Sequence, residues 1–114
     1  MSPHDRPSAG ELIEAVREWL ERDVLAATDG RLQFHARVAI NALSIVEREL
    51  LLGPAHESAH RDRLLVLGVA DDAELAAAIR SGEFDDRIDE VRDLVWDSVR
   101  DKLAVANPKY LSSP

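Results

Sequence analysis

Apolar residues recur along this chain three and four apart, the spacing of one helix face, and no segment alternates over the length of a strand. The pattern predicts a first helix over 8–26, opened by Ser8 and Glu11 as a capping box in which each side chain satisfies a backbone amide of the other. Leu12, Val16, Leu20 and Val24, with Ile13 and Trp19 beside them, mark its inner stripe, while Glu14, Arg17, Glu18, Glu21 and Arg22 face water. Thr28-Asp29-Gly30 interrupts the pattern and opens a second helix over 31–52. From Phe34 to Leu52 this helix is apolar on nearly every side, so it must be covered by neighbours. Gly53-Pro54 is a stop followed by a start: the glycine suits a left-handed terminus and the proline a first helical position. A short third helix over 54–67 is polar until Leu64, Leu65 and Leu67. Asp71 caps a short fourth over 71–81, with Leu75 and Ile79 inward and Ser81-Gly82 as its stop. The last, over 86–106, carries Ile88, Val91, Val95, Val99 and Leu103 as its inner stripe and ends at Asn107-Pro108.

The expected fold is therefore all-α, a single-domain antiparallel helical bundle of three long and two short helices. It occupies 8–107, between a flexible arm at 1–7 and a tail at 108–114. At 114 residues the chain can bury a core without disulfides or a structural metal. It contains no cysteine, which excludes thiolate chemistry and suits the cytoplasm. The net charge of -8 opposes binding to a phosphate backbone, so no nucleic acid is expected as partner. No apolar run reaches the roughly 20 residues of a membrane helix, and none near Met1 resembles a signal peptide. Only 4% of the residues are aromatic, so the core must be built from Ala, Val, Leu and Ile.

His56-Glu57-Ser58-Ala59-His60 matches H-E-x-x-H, the spacing that puts two zinc-binding histidines on one helix face with a glutamate base between them. Arg61, Asp62 and Arg63 follow at once, where such a helix would enter a core, and Arg63 and Val66 replace the glycine and histidine of the extended motif. Glu74, Glu83 and Glu90 are the conceivable third ligands. A solvated helix start accounts for the segment better than a zinc hydrolase, and no cofactor is expected.

Arg37, Asn41, Ser44 and Arg48 form a polar stripe on the second helix, with the two guanidinium groups about 16 Å apart. Such a stripe can hold the phosphates of a nucleotide-like or acyl-CoA-type ligand. In an acidic bundle, pairing with carboxylates of the first or fifth helix is the favoured reading. His35, Ala42 and Glu49 stack seven apart, too far for His35 to reach Glu49 directly. Ser44 has no histidine within one turn, so no nucleophilic triad is visible. Trp19 and Trp96 read as packing residues.

Three blocks carry a family resemblance. They are Arg6-Pro7-Ser8-Ala9-Gly10-Glu11-Leu12, then Phe34-His35-Ala36-Arg37-Val38-Ala39 through Asn41 to Val46-Glu47-Arg48-Glu49, and Asn107-Pro108-Lys109-Tyr110-Leu111. Together they resemble a bacterial domain-of-unknown-function family of small helical proteins, over almost the whole chain. The resemblance implies genes beside, or fused to, aminoglycoside-phosphotransferase-like kinases and acyl-CoA dehydrogenases, and no activity of its own. It draws attention to His35, Arg37, Asn41 and Arg48 rather than to His56 and His60. The expectation is a non-enzymatic accessory or interaction module for such a kinase or acyl-CoA enzyme. A binder of a phosphorylated or acyl-CoA-type molecule through the Arg/Asn stripe is the alternative, and the apolar second helix leaves room for a homodimer.

Overall fold

In a computed structural model, residues 6–112 are described. The expected arm at 1–7 falls mostly outside them, as does the end of the tail at 113–114. The described residues are all-α, without a strand. Helix α1 (Ala9–Trp19) runs through a π-helical segment (Leu20–Val24) into α2 (Leu25–Ala27). Then come α3 (Gly30–Val66), α4 (Asp72–Arg80), a 3-10 turn (Asp85–Arg87), α5 (Ile88–Ala106) and α6 (Pro108–Ser112). The chain divides into two compact units, Met1–Leu52 and Gly53–Pro114.

In the first unit the capping box forms as expected: Ser8 Oγ accepts from the Glu11 amide at 3.1 Å, and Glu11 Oε1 from the Ser8 amide at 3.3 Å. The inner stripe differs from the expected one. Leu12, Val16 and Trp19 are 54%, 48% and 55% exposed, whereas Ile13, Arg17, Leu20 and Val24 are half-buried. Arg17 turns inward because its guanidinium finds a carboxylate there, so its stem packs like an apolar side chain. Leu20 and Val24, at the two ends of the π-helical segment, are half-buried with it. At the corner, the Gln33 side-chain amide donates to the carbonyls of Leu25 and Thr28 at 3.2 and 2.9 Å.

Gly53-Pro54 does not stop the helix, and the separate helices expected at 31–52 and 54–67 are one, α3. Gly53 is not among the glycines with positive φ, so no left-handed terminus forms there. The stop lies at Gly68, with φ 75°, where the Gly68 and Val69 amides donate to the carbonyls of Leu65 and Leu64 at 3.0 Å each. The two glycines should therefore respond unequally to alanine. Gly68→Ala is expected to cost about 1–2 kcal/mol of left-handed strain, since its Cβ would meet no atom and only the backbone objects. Gly53→Ala should change stability by less than about 1 kcal/mol, because its gain in helix propensity is offset by crowding of the new Cβ against the Pro54 ring. Urea midpoints that move together would contradict this.

The second unit holds the core: Leu64 and Leu67 of α3, Leu75 and Ala78 of α4, Phe84 and Val91, with Val69 and Leu94 against them. Asp71 caps α4, its carboxylate accepting from the Glu74 amide at 2.8 Å. Gly82, with φ 85°, supplies the stop after it. The inward face of α5 is Val91, Leu94, Ser98, Asp101 and Val105; of the expected stripe Val91 is buried and Leu103 half-buried, while Ile88, Val95 and Val99 are exposed. Ile79 and Leu65 are likewise exposed, and Pro108–Ser112, within the expected tail, form α6.

Candidate functional site

The stripe on α3 divides between different surroundings. Arg37 and Asn41 are exposed, and Ser44 is spent on its own helix, its hydroxyl donating to the Ile40 carbonyl at 3.0 Å. Ser44 and Arg48 line a groove of about 490 Å³ in the first unit, with Ser8, Glu11, Glu14, Arg17, Glu47 and Leu51 among the other lining residues. Three carboxylates face two guanidinium groups there, so the lining does not favour a polyanion. Arg17 is further engaged. It holds Glu47 with two nitrogens, Nη2 to Oε2 at 3.3 Å, and reaches Glu21 through Nη1 at 3.0 Å. Glu47 and then Glu21 raise its pKa above the usual arginine value, because both bond to the charged form. The cross-helix pair thus joins an α1 arginine to an α3 carboxylate, the reverse of the expected polarity. His35 is exposed, its Nε2 3.4 Å from Arg31 Nε and its ring edge-on to Phe34 with centroids 5.6 Å apart.

The densest polar constellation lies in the second unit, and it takes up the histidine pair. His60 Nδ1 is 2.7 Å from Ser98 Oγ, and its Nε2 is 2.8 Å from Asp72 Oδ1. Arg63 Nη1 donates to Ser98 Oγ at 2.9 Å and to Asp101 Oδ2 at 3.0 Å. A carboxylate only accepts, so in the neutral ring Nε2 carries the proton toward Asp72. Nδ1 then accepts from the Ser98 hydroxyl, which in turn accepts from Arg63. Hydrogen bonds therefore run one way, from guanidinium through hydroxyl and imidazole to carboxylate. His56 Nε2 stands 3.8 Å from Asp101 Oδ1, beyond hydrogen-bond reach.

The connectivity Ser98, His60, Asp72 is that of a hydrolytic triad, but the setting is not. Ser98 lies in the interior of α5, where backbone amides are bonded along the helix and none is left to receive an oxyanion. The cluster ties α3 to α5 and to the start of α4, and acts as a polar strap. Both ring nitrogens of His60 already have partners, and among the described residues no three His, Asp or Glu are grouped to hold a metal ion. Sequence reasoning missed Ser98 and Asp101, which read as polar positions beside an apolar stripe. Their only signal was the spacing of three and four that joins them to Val91, Leu94 and Val105.

Comparison with known families supplies the classification: a match to a domain of unknown function, DUF6285, covers residues 26–110. The chain belongs to the DUF6285 family. The match includes all of α3, the His60–Ser98 strap and the start of α6, and it begins after α1, so the Ser8 capping box lies outside it. No curated protein and no solved structure matches the chain. Among the described residues, no helix of this DUF6285 protein is long and apolar enough to cross a membrane.

Proposed function

We propose that this DUF6285 protein is a non-enzymatic interaction module whose first unit docks onto a protein partner. One observation carries the reading. Among the described residues of that unit only Ala36 is a buried apolar residue, while ten large apolar side chains are exposed. Roughly half exposed on average, together they present apolar surface on the order of 1,000 Å², spread over α1 and several sides of α3. A unit that buries so little apolar surface and exposes so much gains by association. Leu12, Val16 and Trp19 form one stripe along α1, and Trp19 supplies the kind of aromatic anchor on which interfaces concentrate their energy.

The partner class follows from the resemblance: a phosphotransferase-like kinase or an acyl-CoA enzyme encoded nearby. Co-expression with the neighbouring kinase should give a complex that co-elutes in size-exclusion chromatography. Val16→Asp with Trp19→Asp should abolish co-elution while leaving the helical circular dichroism intact. Independent elution together with unchanged kinase activity would sink the proposal. The ligand-binding alternative draws less support, because the Arg/Asn stripe is split and its groove is rich in carboxylates.

A further inference from the structure

We infer that Gly53-Pro54 is a hinge in α3, at which the first and second units turn as separate bodies. The inference goes beyond the docking reading and does not rest on it. A joint of this kind leaves the first unit free to engage a partner without carrying the second with it.

Backbone chemistry sets the weak point. Proline has no N–H, so within α3 Pro54 leaves the Leu50 carbonyl, four residues before it, without its helical donor, and its ring crowds that carbonyl. Leu50 is 45% exposed, and carbonyls on the water-facing side of a helix tilt outward and bend it, most sharply at a proline. A side chain at 53 would meet the proline ring, and glycine has no Cβ to do so. The helix therefore passes through the joint, yet its most pliable residue and its missing hydrogen bond fall together there.

Neighbouring elements do not brace it. Between Ala36 and Leu64 no residue of α3 is buried, and among the described residues the side chains of 49–55 make no hydrogen bond or ion pair. On one side of that stretch the Arg17–Glu47 pair fastens α3 to α1, and on the other the strap at His60 and Arg63 fastens it to α4 and α5. A helical stretch this short gains little from its own hydrogen bonds, so local opening costs least where tertiary contacts are missing. The division of the chain into compact units falls between Leu52 and Gly53, at the same joint.

The chain has no cysteine of its own, so spin labels can be placed one to each unit of the full chain. Arg22 and Arg92 are exposed positions in the first and second units, and Arg37 is a second exposed position in the first. Distances between labels at Arg22→Cys and Arg92→Cys, read by double electron–electron resonance, should spread well beyond those of the within-unit pair Arg22→Cys and Arg37→Cys. Gly53→Ala with Pro54→Ala returns a donor to the Leu50 carbonyl and removes the ring that a Cβ at 53 would meet. This double substitution should narrow the cross-unit distribution to the width of the within-unit pair, with helical circular dichroism at least equal to the parent's. In hydrogen exchange, the parent's amides at 53 and 55–57 should exchange roughly tenfold or more faster than those of α3 on either side, and the double substitution should remove the difference. A parent cross-unit distribution as narrow as the within-unit one overturns the hinge, as does a breadth that survives the double substitution or uniform amide protection along the middle of α3.

Discussion

Phe84→Ala is expected to cost about 3–5 kcal/mol, the largest effect of any single substitution considered in this chain. Phe84 is 6% exposed and closes the small core in which Leu64 and Leu67 of α3 meet Leu75 and Ala78 of α4 and Val91 of α5. It is the only aromatic residue in that cluster, and truncating it removes its transfer free energy and leaves a void that short aliphatic neighbours cannot refill. A unit of this size has a total stability on the order of 3–9 kcal/mol, so the loss consumes much or all of it. The urea midpoint should fall steeply, and amide protection in α4 and α5 should collapse. A midpoint within a few tenths of the parent would mean that Phe84 is not packed as described. Phe84→Leu, which keeps most of the volume, should recover most of the loss.

Arg63→Ala is expected to cost about 2 kcal/mol, although arginine is usually a surface residue with little energetic weight. Its side chain is 21% exposed, and one nitrogen serves both Ser98 and Asp101. Removing it strips the half-buried Asp101 carboxylate of its close cation, with His56 remaining only at 3.8 Å, and strips the Ser98 hydroxyl of a donor. A double-mutant cycle with Asp101→Ala should return a coupling of roughly 1 kcal/mol, as for contacting charged neighbours. Ser98→Ala should cost less, about 1 kcal/mol, because it deletes a neutral link in the chain of hydrogen bonds. Additive Arg63 and Asp101 effects would show that the strap is a surface ornament. The same cycle distinguishes a strap from a reactive serine, since the strap predicts losses in stability alone.

These predictions depend on features of unequal legibility. The all-α class, the capping box at Ser8 and Glu11, the Asp71 cap, the stop at Gly82 and the end at Asn107 are written locally, in residues within four positions of one another. Sequence reasoning reached them because a cap or a left-handed turn is satisfied by its immediate neighbours. Gly53-Pro54 shows the boundary of that reach. A glycine before a proline permits a stop without requiring one, and only the conformation of Gly53 within α3 decides.

What the sequence by itself determined was the all-α class, most of the helix ends, and the apolar character of 34–52. What only the tertiary structure decided was which stripe of each helix turns inward. Helical periodicity states that a face exists, but its burial depends on the groups that meet it from elsewhere in the chain. Arg17 became an inner residue because Glu47, thirty positions away, accepts hydrogen bonds from its guanidinium. Ser98 and Asp101 displaced valines from the inward face of α5 because His60 and Arg63 stand opposite, thirty-five to thirty-eight positions away. Such polar pairings depend on which charges meet after folding, and no local pattern encodes that meeting.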